Sequence, residues 1–239
     1  MEQNTTVMHR TIKPLRKVLP GIVTGFLRSF FTATWTPFYF TYLNGHFKSS
    51  FKNKSVSRKG GFLPWYTYPM IDFLRTRSFT EKVVLEFGGG QSTLYWAQRA
   101  KEVITFEDNK EWYEMLKGKI PQNVKLFLVS KESREKCVHD IQEILATLSI
   151  TQYDIAVIDG LFREQMIDIA DKFVKPDGAI ICDNAEGYGF YEGFLDRQYK
   201  RVDFFGHAPG VMFPHCTALY FKDNSFLFNP DWKIPTRDL

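Results

Sequence analysis

Between residues 82 and 182, short apolar runs alternate with segments of helical periodicity, and no other feature limits the fold of this chain as strongly. The runs are five or six residues long and almost continuously apolar, which is typical of strands buried on both faces of a sheet. They span 82–86, 102–106, 124–129, 153–158 and 178–182, and the helical segments between them span 92–100, 110–117, 138–148 and 164–174. This alternation predicts βαβ units and a parallel sheet.

The rhythm changes after the fifth run. Two further strand-like runs, 199–205 and 216–221, are separated only by a short segment that contains Pro209, Gly210 and Pro214. A helix does not fit there, so the two runs predict an antiparallel hairpin at the edge of the sheet. The predicted class is α/β, with a doubly wound, mostly parallel seven-stranded sheet and a C-terminal antiparallel hairpin.

The first 71 residues differ in charge from the rest of the chain. They hold ten Lys and Arg residues against one acid, Glu2, whereas the remainder holds 21 basic and 26 acidic residues. The segment 49–61 (SSFKNKSVSRKGG) is polar, basic and closed by two glycines, which indicates a linker. We therefore predict a basic, aromatic, helical arm over residues 1–60 and one α/β domain over residues 61–239.

Composition excludes several classes of protein. Hydrophobic residues make up 44% and charged residues 24% of the chain, which are ordinary globular values and exclude collagen, coiled coil and general disorder. The three cysteines are scattered and odd in number, so neither a disulfide framework nor a CxxC zinc site is predicted. This cysteine usage suits a reducing compartment, and we expect a cytoplasmic protein.

A glycine-rich turn follows the first predicted strand, in the sequence VVLEFGGGQST from Val83 to Thr93. Glycines at 88–90 allow a sharp turn and close approach of a ligand. A phosphate-binding dinucleotide loop would have a third glycine where this chain has Thr93, and Glu86 would repel a pyrophosphate. An acid before the turn suits a ligand with a cationic end, such as an amino acid.

Two more acids, Glu107 and Asp108, close the second predicted strand. A carboxylate at that position can accept hydrogen bonds from both hydroxyls of a ribose. A nucleoside that carries a cationic amino-acid tail describes S-adenosylmethionine.

The acid-and-glycine motif, the second acid and the terminal hairpin together make residues 62–223 resemble the class I S-adenosylmethionine-dependent methyltransferases. The resemblance implies that Glu86 meets the ammonium group of the methionine and that Gly88 and Gly90 form the floor beneath it. It also implies that Ser92 lies near the carboxylate and that Glu107, with Asp108 beside it, holds the ribose.

A further set of oxygen ligands is expected at the same edge of the sheet. Asp159 ends the fourth predicted strand, and Asp183 and Asn184 end the fifth. This set suits Mg²⁺ and is similar to that of catechol and sugar O-methyltransferases, in which the metal activates a hydroxyl. Those enzymes have Lys or His where this chain has Phe162, so the match is incomplete. Helix capping, or cofactor binding without metal, is the alternative role of these residues.

Candidate general bases are few. We assign catalytic roles to Asp159, which would act through the metal, and to His207, and we consider His215 less favoured. Arg163 cannot act as a base, because an arginine guanidinium is not deprotonated in proteins. Among Trp65, Tyr66 and Tyr68, we expect at least two to pack in the core rather than line a pocket.

These features predict an S-adenosylmethionine-dependent methyltransferase, with Mg²⁺ as a candidate second cofactor, that methylates a hydroxyl of a small acceptor such as a sugar or glycoside. The alternative from another class is a nucleic-acid-binding or nucleic-acid-modifying protein that uses the basic arm. The part of this chain outside the basic arm is net acidic, which disfavours that alternative. A nicotinamide oxidoreductase is disfavoured by Glu86 and by the missing third glycine.

The arm predicts an anionic partner. Residues 10–59 are basic and aromatic and contain no acid, so we expect them to approach an anionic membrane surface. A membrane-spanning helix is disfavoured by the prolines, glycines and threonines within 18–43. The alternative is an arm that packs on the body or across a homo-oligomer.

Overall fold

The computed structural model describes residues 20–160 and 162–229. The chain divides into two compact units, Met1–Asn44 and Gly45–Leu239. The segment 45–60, which we predicted as part of the arm, belongs to the second unit.

The described helices are α1 (Gly21–Asn44), α2 (His46–Lys52), α3 (Tyr68–Arg75), α4 (Gln91–Ala97), α5 (Lys110–Lys117), α6 (Arg134–Thr147), α7 (Arg163–Phe173) and α8 (Phe190–Phe194). The strands are β1 (Val83–Phe87), β2 (Glu102–Glu107), β3 (Val124–Leu128), β4 (Tyr153–Ile158), β5 (Val174–Asp183), β6 (Lys200–Gly206) and β7 (His215–Phe221). A short 3₁₀ helix follows at Phe226–Phe228.

The strands form one seven-stranded sheet in the order β3-β2-β1-β4-β5-β7-β6. The pairs from β3 to β5 are parallel, and β7 pairs antiparallel with both β5 and β6. The predicted fold class is therefore confirmed, including the terminal hairpin. The hairpin inserts its second strand beside β5, which leaves β6 at the sheet edge.

Helix α1 is apolar around most of its circumference. Ile22, Phe26, Trp35 and Phe38 are each more than 60% exposed, and Arg28 is the only charged residue of the helix. Its threonine hydroxyls donate to carbonyl oxygens one turn earlier, as in Thr32 to Arg28. Within the described residues, no helix combines the length and hydropathy that a membrane span requires.

The second unit begins with α2 and a short turn that is held by local hydrogen bonds. Ser49 Oγ donates to Val56 O at 2.8 Å, and Ser55 Oγ donates to Pro64 O at 2.8 Å. Ser49, Ser55 and Val56 are all buried. These contacts give the segment 49–61 a defined local structure, although its composition is typical of a linker.

The core fills both faces of the sheet with aliphatic and aromatic side chains. β4 is buried along its whole length, as expected for a central parallel strand. The three cysteines, Cys137, Cys182 and Cys216, are free thiols and all are buried. Burial raises the pKa of Cys137 and Cys216 to about 11 and raises that of Cys182 well above its ordinary value.

Candidate functional site

The site lies where the strand order reverses. β1 pairs with β2 on one side and β4 on the other, so the segments that follow β1 and β4 run in opposite directions and leave a crevice at the carboxyl edge of the sheet. Ligands of open α/β sheets bind in such crevices.

The glycine turn after β1 packs directly on the residue that follows β4. Gly88 has a φ of +99°, and a Cβ added there would lie 2.5 Å from the backbone nitrogen of Gly160. Only glycine fits both the left-handed backbone and this close approach. A Cβ added at Gly90, by contrast, would meet no atom within 4 Å, so Gly90 faces open space.

Thr93, which occupies the position of the absent third glycine, connects the turn to Glu86. Its hydroxyl accepts from Gly90 N at 3.0 Å and donates to Glu86 Oε2 at 2.6 Å. Thr105 on β2 donates to the same oxygen at 2.9 Å. In the sequence, Thr93 is recognisable only as a departure from a glycine pattern, and this role has no local signal there.

Glu86 is fully buried beneath the turn and does not line the cavity itself. Burial raises its pKa to about 7, although the hydroxyls of Ser92, Thr93 and Thr105 oppose the shift. Its other oxygen, Oε1, has no hydrogen-bond partner among the described residues. A buried carboxylate oxygen without a partner is costly, and a bound cationic group would satisfy it.

Glu107 closes the opposite side of the turn. Its Oε2 accepts from Gly89 N at 2.7 Å, and its Oε1 accepts from Asn109 N at 2.8 Å. Burial raises the pKa of Glu107, and the two backbone N–H groups oppose that shift. Asn109 in turn caps α5, since its Oδ1 accepts from Glu111 N and Trp112 N.

These elements enclose a cavity of about 490 Å³, which lies within the range of about 300–1,000 Å³ that is usual for small-molecule sites. The predicted residues Gly88, Gly90, Ser92, Glu107, Asp108 and Asp159 line it, together with Trp65, Gly89, Gln91, Asn109, Trp112, Gly160, Phe162, Arg163 and Tyr188.

Arg163 sits among the acids at the ends of β4 and β5. Its Nη2 donates to Asp159 Oδ1 at 2.9 Å, and its Nη1 donates to Asn184 Oδ1 at 3.1 Å and to Asp183 O at 2.6 Å. Burial, followed by the nearby Asp183 carboxylate, raises the pKa of Asp159, while the Arg163 guanidinium opposes the rise. The ring of Tyr188 lies 4.4 Å from the guanidinium carbon.

This arrangement does not fit a divalent cation held by Asp159, Asp183 and Asn184. The guanidinium already bonds Oδ1 of Asp159 and Oδ1 of Asn184, and it brings a positive charge to the place that a metal would occupy. The Asp183 carboxylate instead accepts from Thr217 Oγ1 at 2.7 Å. Arg163 therefore bonds the side chains of Asp159 and Asn184, and Thr217 bonds that of Asp183. The basic residue four positions after Asp159 is the only sign of this arrangement in the sequence.

The two candidate histidines differ in position. His207 does not line the cavity, and its ring lies 6.2 Å from that of His46. His215 is buried, with Nε2 3.5 Å from Asp183 Oδ1. Burial would lower its pKa, but the Asp183 carboxylate outweighs that effect and the pKa is raised. The structure thus brings His215, rather than His207, to the acid cluster.

The aromatic residues before α3 divide as expected between pocket and core. Trp65 lines the cavity, whereas Tyr66 and Tyr68 are almost completely buried. The Tyr66 hydroxyl accepts from Trp96 Nε1 at 3.2 Å. Trp112, Phe162 and Tyr188 complete the aromatic lining, and none of them was predicted as a pocket residue.

Comparisons with solved structures find the same fold in methyltransferases. Precorrin-6y C5,15-methyltransferase from Geobacter metallireducens superposes with a TM-score of 0.51 over 73% of this chain and 96% of that chain, at 16% identity. An O-methyltransferase from Bacillus cereus in complex with SAH gives a TM-score of 0.48, 64% and 78% coverage, and 14% identity. A methyltransferase-like protein from Silicibacter pomeroyi gives 0.46, 66% and 90% coverage, and 16% identity.

No protein-family model matches the chain, and no curated protein matches it. The structural comparison, together with the strand order and the terminal hairpin, shows that the chain has the class I methyltransferase fold.

Proposed function

We propose that the protein is an S-adenosylmethionine-dependent methyltransferase that methylates a hydroxyl oxygen of a small acceptor, such as a sugar or glycoside. The observation that carries the proposal is the cradle formed by the turn at Gly88–Gly90 and Glu107 around an open cavity, with Glu86 buried beneath the turn.

The residues present fit the cofactor. The open side of Gly90 allows a ligand to approach the backbone. The unpartnered Oε1 of Glu86 lies buried beneath that turn, where its charge favours a cationic amino-acid end. Glu107 and Asp108 supply carboxylate oxygens for the ribose hydroxyls, and Trp112 supplies an aromatic surface for the base. The bound cofactor would supply an electrophilic methyl group on a sulfonium.

The acceptor would lie beside Asp159, between Phe162 and Trp65. Arg163 holds Asp159 Oδ1, which leaves Oδ2 to accept the proton that the acceptor hydroxyl loses. The raised pKa of Asp159 makes it a stronger base than an exposed aspartate. Positioning of the acceptor oxygen would supply most of the remaining rate.

Our proposal includes no metal. The cation near Asp159 is the guanidinium of Arg163, so the activity is expected to be independent of Mg²⁺. This revises the role that the sequence suggested for Asp159, Asp183 and Asn184.

Isothermal titration calorimetry with S-adenosylhomocysteine (SAH) tests the cofactor assignment. We expect SAH to bind and NAD not to bind. Glu107→Gln removes the charge from a carboxylate at the ribose position, and the affinity should fall roughly ten- to a hundred-fold. The matched control is Glu111→Gln, an exposed acid on α5 that does not line the cavity.

Two results would overturn the proposal. One is a folded wild-type protein that binds NAD but not SAH. The other is an SAH affinity that Glu107→Gln and Glu111→Gln reduce equally, since Glu107 would then make no specific contact with the ligand.

A further inference from the structure

A second surface of the Gly45–Leu239 unit exposes large apolar side chains. Phe47 and Phe51 on α2 are 70% and 81% exposed, and their rings stack with centroids 6.3 Å apart. Met212 and Phe213, in the loop between β6 and β7, are 77% and 73% exposed. We call these four residues the docking face. Contiguous apolar exposure on a folded domain marks an interaction site.

The two segments that carry the docking face pack against each other. Gly210 has a φ of +77°, and a Cβ added there would lie 2.6 Å from Ser50 N. Gly210 N also donates to His46 Nδ1 at 3.3 Å. The loop therefore packs on α2, so the two apolar pairs belong to segments that contact each other.

The two segments of the chain that carry the docking face contain basic residues and no acid. Residues 3–71 contain no acid, and neither do residues 204–222. Lys52, Lys54 and Lys59 are exposed, and none of them takes part in an ion pair among the residues that the structure describes. An apolar surface with cations at its border is complementary to a layer that is anionic outside and apolar inside.

We propose that the docking face binds a lipid bilayer with anionic headgroups. Phe47, Phe51, Met212 and Phe213 would enter the boundary between headgroups and acyl chains, and the lysines would meet the headgroups. A second copy of the chain is the less suitable occupant. A two-fold contact would bring the same lysines of two copies together, and like charges repel.

Vesicle flotation of the full-length protein tests this proposal. The vesicles are phosphatidylcholine alone and phosphatidylcholine mixed with phosphatidylglycerol. We expect binding only to the mixed vesicles, and we expect it to weaken as salt is added, because salt screens exposed charges.

Two double variants locate the binding surface. Met212→Ser with Phe213→Ser should lower the apparent affinity roughly ten-fold or more, because their apolar surface is lost. Lys52→Glu with Lys54→Glu should lower it by a similar factor. The matched controls are Tyr191→Ser with Leu195→Ser, both 61% exposed, and Lys110→Glu with Lys119→Glu. All eight positions are solvent-exposed, so each variant should fold, and circular dichroism checks this.

The proposal is wrong if the protein does not float with anionic vesicles, or if it binds neutral and anionic vesicles equally. It is also wrong if the docking-face variants bind as wild type does, since another part of the chain would then bind the lipid. Sedimentation that shows a dimer dissociated by the Met212 and Phe213 changes would instead assign the face to self-association.

Discussion

At the scale of single residues, Arg163 shows how one side chain changes the chemistry of its neighbours. Besides the bonds to Asp159, Asp183 and Asn184, its Nε donates to Gly160 O at 3.1 Å. The guanidinium thereby connects the ends of β4 and β5 at the place where the sequence suggests a metal. Arginine remains charged at any working pH, so this cation is a permanent part of the site.

Metal independence follows from that arrangement. Neither EDTA nor added Mg²⁺ should change the melting temperature of the wild-type protein or its affinity for SAH. Arg163→Ala should destabilise the fold by about 2–4 kcal/mol, because it leaves the partly buried Asp159 carboxylate unpaired. Differential scanning calorimetry measures the melting temperatures, and isothermal titration calorimetry measures the SAH affinity. The control variant is Arg197→Ala, because Arg197 also pairs with carboxylates. A Mg²⁺-dependent rise in the melting temperature of the wild type would contradict this prediction.

Glu86 predicts a pH dependence of stability. Its folded-state pKa of about 7 lies above the ordinary value of 4.5, so the folded protein binds this proton more tightly than the unfolded chain. The buried group is therefore protonated in the folded protein at low pH. Its ionisation lowers the free energy of unfolding as the pH rises from about 4.5 to about 7. The full difference corresponds to about 3 kcal/mol.

Glu86→Gln removes that ionisation. The free energy of unfolding of the variant minus that of the wild type should be larger at pH 8 than at pH 5, by an amount on the order of 2–3 kcal/mol. Urea denaturation at the two pH values measures the change, and Glu111→Gln should show little of it. An equal effect of Glu86→Gln at both pH values would mean that the pKa of Glu86 is not raised.

At the scale of elements, the turn between β1 and α4 contains one glycine that the fold requires, Gly88, and one that borders the cavity, Gly90. Gly88→Ala should destabilise the protein by about 2–4 kcal/mol, since it combines a strained positive φ with a clash against the backbone of Gly160. Gly90→Ala should keep the wild-type stability and weaken SAH binding, because its added methyl group enters the open space of the cavity. Chemical denaturation and calorimetry on both variants test this pair. Equal stability losses would contradict the assignment.

The strands could be predicted from sequence to within about two residues, apart from β5, because their near-continuous apolar runs have no other stable placement than a buried sheet. β5 begins at Val174 rather than at 178, since Val174 pairs with Tyr153 across a register shift. Helix α6 begins earlier than its apolar periodicity indicated, because Ser133 caps it by accepting from Lys136 N. Capping and register depend on contacts that hydrophobic periodicity does not encode.

The candidate site could be predicted only in part. The turn at Gly88–Gly90 and Glu107 follow strand ends, and any parallel sheet places strand ends together. The pairing of Arg163 with Asn184 joins positions 21 residues apart, and the approach of His215 to Asp183 depends on β7 lying beside β5. Such contacts follow from the strand order, and the residue types alone do not indicate that order.

At the scale of the whole molecule, the division after Asn44 predicts how the chain tolerates truncation. Removal of residues 1–44 should leave the Gly45–Leu239 unit folded with its melting temperature nearly unchanged. Removal of residues 1–60 also deletes the buried residues Ser49, Ser55 and Val56 and their hydrogen bonds. The melting temperature should then fall by roughly 5–10 °C.

Thermal melts of the two truncated proteins and of the full chain make this comparison. If both truncations behaved alike, the segment 45–60 would contribute nothing to the fold of the second unit, and the predicted arm of 1–60 would be the better division.

The burial of Cys137, Cys182 and Cys216 has a practical consequence for work on this protein. A thiol reacts as its thiolate. We therefore expect the three buried thiols, whose pKa values are raised, not to react with alkylating reagents while the sheet is intact. A single cysteine introduced on the surface can then carry a fluorophore or spin label without removal of the native three. Under the same conditions, slow labelling of the native cysteines reports the rate at which the core opens.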